Sequence, residues 1–420
     1  MRRWYKYLDP VTLLLWLLLT GVGLTAIYSA THGEAQEFLL ESVQFNFERQ
    51  SMWLGICCGA MIVILLTPLR LLVQLTPWIY TATIVLLLVA LLVGREVSGA
   101  RSWVVIGPFG FQSSELAKIG AVLAIAMTLS VRMPSQVLPK GAILLAVTLL
   151  LLPAALIILQ NDTGTALVFV ALIPVMLFWG GLSLSAIALL ASPVIVAYLT
   201  ILHLPTAIGF ALLLTFAFYF GTRSLGWTLS AGAVAGSTIG LSSFALYQVL
   251  HPHQVARILS FANPEAVEYR SGVGFHLLQS KAAIGSGGLF GQGFMQGNQT
   301  QGRYIPEQST DFIFSVIGEE WGLAGSLVVL FLFAGLIIRL IWIASQINHP
   351  YGSLVAAGTA GIILIHVCIN VGMVLGLLPV IGIPLPFLSY GGSALLTISV
   401  LIALALNMYA RRAEFSIYYI

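Results

Sequence analysis

Twelve apolar blocks separated by short polar interruptions constrain this 420-residue chain more than any other feature. Each is close to the ~20 helical residues needed to cross a hydrocarbon core. No water is available there to satisfy backbone N–H and C=O groups, so only helices or a closed barrel can span it. Barrel strands alternate apolar and polar positions over about ten residues, and none of these blocks does. The expected fold is an all-α integral membrane protein, a polytopic helical bundle. Its spans lie near 11–30, 51–67, 76–94, 115–131, 141–160, 165–181, 184–203, 206–221, 227–250, 312–340, 352–377 and 387–409. With 59% hydrophobic and 8% charged residues there is too little polar surface for a water-soluble fold. Residues 1–420 read as a single membrane domain, and the first block reads as a transmembrane helix rather than a cleaved leader.

An even number of spans puts both termini on one side, and the basic residues then sort by side. Arg2, Arg3, Lys6, Arg70, Arg132, Lys140, Arg223, Arg339, Arg411 and Arg412 fall with the termini, which makes that side cytoplasmic. Most carboxylates fall on the outer side. Residues 251–311 form the one long polar segment, an extracytoplasmic loop before the helix starting near 312. A structureless loop of that length is unusual, so it is expected to carry short helices and functional surface. The net charge of +3 is too small to argue for nucleic acid. Cys57, Cys58 and Cys368 lie inside apolar blocks with no metal-ligand spacing, and no organic cofactor is indicated.

Three polar constellations stand out against this background. Glu115 and Lys118 are spaced i, i+3 on one helix face. They read either as a self-neutralising pair at a helix entrance or as a charged pair lining a polar cavity. Asp162, in Gln160-Asn161-Asp162-Thr163-Gly164-Thr165, is an N-cap by default. Should it converge with Glu115, the two carboxylates would offer oxygen ligands to a divalent cation, Mg or Mn. The third constellation is the long loop. Its glycine run 285–293 gives backbone amides freedom to approach a phosphate or a glycan, or makes plain turns. Arg257, Lys281 and Arg303 are cations suited to a pyrophosphate. Thr310 or Asp311 reads as an N-cap of the next helix. Glu307, Glu319 and Glu320 add carboxylates around it, and the glutamate pair implies a polar outer vestibule floored by Glu115, Lys118 and Asp162.

Several of these residues sit in motifs that resemble one family. The motifs are Arg257-Ile258-Leu259-Ser260-Phe261, the run Gly274 to Gly288, Pro306-Glu307, Thr310-Asp311-Phe312-Ile313-Phe314 and Glu319-Glu320. Others are Ser114-Glu115-Leu116-Ala117-Lys118, Asn161-Asp162-Thr163-Gly164-Thr165, Pro384-Leu385-Pro386 and Ser389-Tyr390-Gly391-Gly392-Ser393. The chain resembles the SEDS (shape, elongation, division and sporulation) proteins over nearly its whole length, and the elongation branch, RodA, more than the others. The resemblance implies a peptidoglycan glycosyltransferase that polymerises lipid II at the outer face of the cytoplasmic membrane, beside a class B penicillin-binding protein. It implies Asp311 as general base, and a cavity lined by Glu115, Lys118, Asp162, Arg257, Lys281, Glu307, Glu319, Glu320 and Ser393. It also implies a divalent cation, and a contact of Trp103 with membrane lipid or with the transpeptidase.

Three positions depart from the family pattern. Ser309 stands where many relatives have His, and Ser113 where Pro is usual. Residues 182–250 hold one helix pair more than the usual ten-helix core. Two other functions compete with polymerisation: a lipid II flippase, which needs polar groups on a continuous path across the bilayer, and a scaffold that only activates the penicillin-binding protein.

Overall fold

The computed structural model describes residues 7–33, 41–97, 99–106, 109–130, 138–249, 255 and 273–413. Arg257, most of the loop from 251 to 272, the basic residues Arg2, Arg3, Lys6 and Arg132, and Glu414 lie outside the described residues. The chain divides into two compact units, one of Met1–Gly180, Gln279–Leu375 and Ile381–Ile420, the other of Gly181–Leu278 and Gly376–Val380.

In the first unit the apolar blocks fold as α1 (Pro10–Thr31), α2 (Asn46–Leu66), α3 (Leu69–Val93), α4 (Ser113–Leu129), α5 (Lys140–Leu159) and α6 (Thr163–Trp179). The second unit holds α7 (Leu184–Leu202), α8 (Leu204–Thr222) and α9 (Leu225–Phe244), which pack on one another through connections of one or two residues. The three blocks expected between 182 and 250 are thus present as regular helices. After α10 (Val273–Ser286) come α11 (Ile313–Glu320), α12 (Gly322–Gln346), α13 (Pro350–Val374) and α14 (Gly392–Ala410). Among the described residues, nine helices are long and apolar enough to cross a membrane, and α6 is a shorter apolar one. The polytopic helical fold is as expected.

Two features differ from the sequence reading. Residues 95–112, expected as an outer loop, form an antiparallel sheet of β1 (Arg95–Val97), β2 (Ala100–Ile106) and β3 (Phe109–Gln112). The β-branched and aromatic residues of Ser102-Trp103-Val104-Val105 suit a pleated, half-buried surface, and Trp103 pairs with Gln112. Strand β3 runs straight into α4. The side chain of Ser113 donates to the carbonyl of Ser102 at 3.1 Å, a bond that proline at this position would not supply.

The expected span 312–340 is broken at Trp321 into α11 and α12. Glycine geometry explains the break. Gly322 has φ +68°, and a Cβ there would lie 2.3 Å from the amide of Gly291. Gly287 and Gly291 meet the carbonyls of Gly318 and Glu320 just as closely, at 2.0 and 2.1 Å from a built Cβ. The glycine run is therefore used for close packing. Two of its amides, at Gln292 and Gly293, donate to the carbonyls of Glu319 and Glu320.

Helix α13 is buried on nearly every side. Apolar lipid supplies no hydrophobic drive between helices, so close backbone approach through small residues does the work. A Cβ on Gly358 or Gly361 would come within 2.8 Å of Met176 and 2.7 Å of Val175 on α6. Among its buried polar residues are His366 and Asn370, one turn apart.

Candidate functional site

Asp311 lies half-buried in the turn before α11, and its backbone is clamped at three successive carbonyls. The carbonyl of Ser309 accepts from the amide of Tyr390 at 2.8 Å. That of Thr310 accepts from Ser389 Oγ at 2.6 Å, and that of Asp311 from Asn370 Nδ2 at 2.9 Å. Asn370 Nδ2 also donates to the carbonyl of Ile383 at 2.7 Å, and the amide of Leu385 donates to Ser389 Oγ. Gln50 on α2 fixes the same strip, donating to the carbonyl of Ser389 and accepting from the amide of Gly391. These bonds, made by Asn370 Nδ2, Ser389 Oγ and both ends of the Gln50 amide, tie the Asp311 turn to the 383–391 strip. Ser309, the departure from the family's histidine, is buried and accepts from Asn46 Nδ2 at 3.1 Å.

Capping does not explain Asp311. The N-cap position of helix α11 is Phe312, with no side-chain capping hydrogen bond. The hydroxyl of Thr310 donates to Glu307 Oε2 at 3.0 Å. Burial, with the exposed Glu307 carboxylate nearby, pushes the Asp311 carboxyl up to about 7. Gly382 lies against this carboxylate at φ +78°, where a Cβ would be 3.2 Å from Asp311 Oδ2. Gly382→Ala is expected to strain that turn and push the carboxylate aside. A displacement near 1 Å costs about 10²-fold in rate, measurable as kcat of a variant that purifies as a folded, monodisperse protein.

The other sequence-predicted residues fall into separate groups. Glu115 and Lys118 are buried against α13, with Lys118 Nζ donating to Glu115 Oε1 at 2.6 Å and lying 2.9 Å from His366 Nε2. Asp162 caps α6 through the amide and hydroxyl of Thr165, and accepts from Gln112 and Ser114 as well. Glu319 is fully buried and accepts from the amides of Gln299 and Thr300 and from the Thr300 hydroxyl. Glu320 accepts from Ser29. The glutamate pair therefore holds the 293–301 segment to α11 and lines no open vestibule. Lys281 is exposed, next to Ser280, which bonds Ser315 on α11 and the carbonyl of Val374. Ser393 is buried in the first turn of α14.

A divalent cation at Glu115 and Asp162 does not fit this arrangement. Asp162 Oδ2 already accepts from Gln112, Ser114 and Thr165, Oδ1 accepts from the Thr165 amide, and the Lys118 ammonium already neutralises Glu115. No group of three or more His, Cys, Asp or Glu able to hold a metal occurs among the described residues.

Asn46, Gln50, His366, Asn370 and Ser389 are absent from the site expected from sequence. A signal for two of them was available: His366 and Asn370 are polar residues spaced i, i+4 inside an apolar span, where such residues are costly without a role.

A profile of the FtsW/RodA/SpoVE cell cycle proteins matches residues 10–208 and 195–414. The chain is 34% identical over 437 residues to the peptidoglycan glycosyltransferase RodA of Treponema pallidum, covering 96% of this chain and 98% of that protein. It is 31% identical over 414 residues to the peptidoglycan glycosyltransferase MrdB of Escherichia coli K12, covering 98% and 96%. A chain solved in a study of the structural coordination of polymerization and crosslinking by a peptidoglycan synthase complex superposes with a TM-score of 0.72. It shares 28% identity, over 97% of this chain and 99% of that one. The crystal structure of the rod shape determining protein RodA of Thermus thermophilus gives 0.61 and 26%, over 96% and 97%.

Proposed function

This chain belongs to the FtsW/RodA/SpoVE family of cell cycle proteins, and from that premise we propose that it polymerises lipid II into glycan strands with Asp311 as general base. The observation that carries the reading is a half-buried carboxylate, clamped through its backbone and raised to about 7, in the turn before α11. A base with an affinity for protons near the working pH is well matched to removing one from a sugar hydroxyl.

In this reaction Asp311 takes the proton of the acceptor GlcNAc 4-hydroxyl as its oxygen attacks C1 of the donor MurNAc. The bond from C1 to the undecaprenyl pyrophosphate breaks, and the leaving group departs with the electron pair. Lys281, exposed on α10, supplies positive charge to that pyrophosphate. Burial keeps the Asp311 carboxyl high, and the exposed Glu307 carboxylate adds to it. Glu115, Lys118, Asp162, Glu319, Glu320 and Ser393 act on the site from within the protein.

The excess of Lys and Arg in the terminal loops supports cytoplasmic termini and an outer active site. The chain works beside a class B penicillin-binding protein during cell elongation, with Trp103 on the sheet as a contact for that partner or for lipid. Purified protein with that partner and lipid II is expected to yield long glycan strands. Headgroup translocation in liposomes without any polymer would contradict the reading.

A further inference from the structure

Two polar residues of α13 are not used by the reaction above, and they face the same strip of backbone. Asn370 holds the carbonyls of Asp311 and Ile383. His366, one turn away, lies 3.2 Å by its Nδ1 from the carbonyl of Pro384 and 2.9 Å by its Nε2 from Lys118 Nζ.

These partners fix the ring's protonation. A carbonyl only accepts, so Nδ1 carries the hydrogen; an ammonium only donates, so Nε2 offers its lone pair. His366 is therefore the neutral Nδ1–H tautomer. It is 2% exposed, and Lys118 and Glu115 are 1% and 2% exposed, so this is an internal brace with no access for substrate.

The strip that the brace holds lies against the Asp311 carboxylate. Residues 382–384 pass Gly382 directly over the Asp311 carboxylate, with Ile383 tied to Asn370 and Pro384 to His366. Behind His366 stands the Lys118–Glu115 pair of α4. A line of contacts therefore runs from Glu115 through Lys118, His366 and Pro384 to Gly382, and it closes on Asp311 through Asn370.

We propose that His366 is a positioning residue for glycosyl transfer, a neutral imidazole that couples the buried Lys118 to the 382–384 strip and so sets the Asp311 carboxylate. The role rests on the assignment of Asp311 as base. It requires one donor and one acceptor at fixed spacing. A hydrophobic side chain of similar volume lacks both, and leaves the buried Lys118 ammonium with Glu115 but short of its second acceptor, and the Pro384 carbonyl short of the imidazole donor.

Three variants of the full-length protein test the role, assayed for lipid II polymerisation with its transpeptidase partner. His366→Leu is expected to lower kcat about 10²-fold, the cost of a misplacement near 1 Å, with KM within about a factor of two because the brace does not touch substrate. His366→Gln keeps an amide donor for Pro384 and a carbonyl acceptor for Lys118, and is expected to recover most of the rate. Wild-type kcat in His366→Leu would overturn the proposal. So would a His366→Gln protein as impaired as His366→Leu when both melt like wild type, since that pattern reports packing alone. Asp311→Asn in the same assay separates the two levels. If it keeps the wild-type rate, the base and its positioning residue fall together. If it is inactive while His366→Leu keeps the wild-type rate, only the positioning role falls.

Discussion

Asp311→Asn is expected to lower the kcat of lipid II polymerisation about 10²- to 10⁴-fold, the usual contribution of a positioned general base. The amide matches the carboxylate in shape and leaves the backbone clamps from Tyr390, Ser389 and Asn370 intact, so the loss reports chemistry. Stability moves the opposite way. The folded carboxyl titrates at about 7, above the ~3.9 of an unfolded aspartate. The folded state therefore binds its proton more tightly than the unfolded chain does. Its stability is greatest below the unfolded value and declines as pH rises through the folded one. At pH 8 the Asn variant is expected to melt higher than wild type. A variant that is inactive and also melts lower would point to misfolding.

Lys118→Met is expected to be the most destabilising single change. Removing one partner of a buried ion pair strands the other charge, at a cost of about 3–5 kcal/mol. Here the stranded group is Glu115, whose second oxygen, Oε2, is buried with no hydrogen-bond partner. The double variant Glu115→Gln/Lys118→Met removes both charges and is expected to regain most of the lost thermal stability in detergent. It is not expected to regain activity, because His366 then has no ammonium to bind. Full activity in the double variant would mean that the pair only stabilises the bundle.

The helices were legible because lipid leaves the backbone no alternative, and apolar length then marks the spans. The break at Trp321 was not legible by that rule. It comes from Gly322 in a left-handed conformation against Gly291, a contact between segments 31 positions apart in the sequence. The sheet at 95–112 was missed because its strands are short and lie between spans. For the site, the motif around Asp311 pointed to the right turn, yet capping was the natural reading until Phe312 took the N-cap position. Glu319 and Glu320 looked like vestibule carboxylates. Adjacent carboxylates do need partners, and theirs are backbone amides and hydroxyls of the protein, which sequence spacing does not reveal. Ser113 and Ser309 looked like losses from the family pattern, and each makes its own hydrogen bond, with the carbonyl of Ser102 and the amide of Asn46.

The pH dependence of kcat/KM for lipid II polymerisation tests the central claim most directly, because its acid limb reports the essential base of the free enzyme. With Asp311 as that base, activity is lost as pH falls through about 7, where the buried carboxyl takes up its proton. A rate that stays flat from pH 8 down to about 5, near an ordinary exposed carboxylate, would contradict the account.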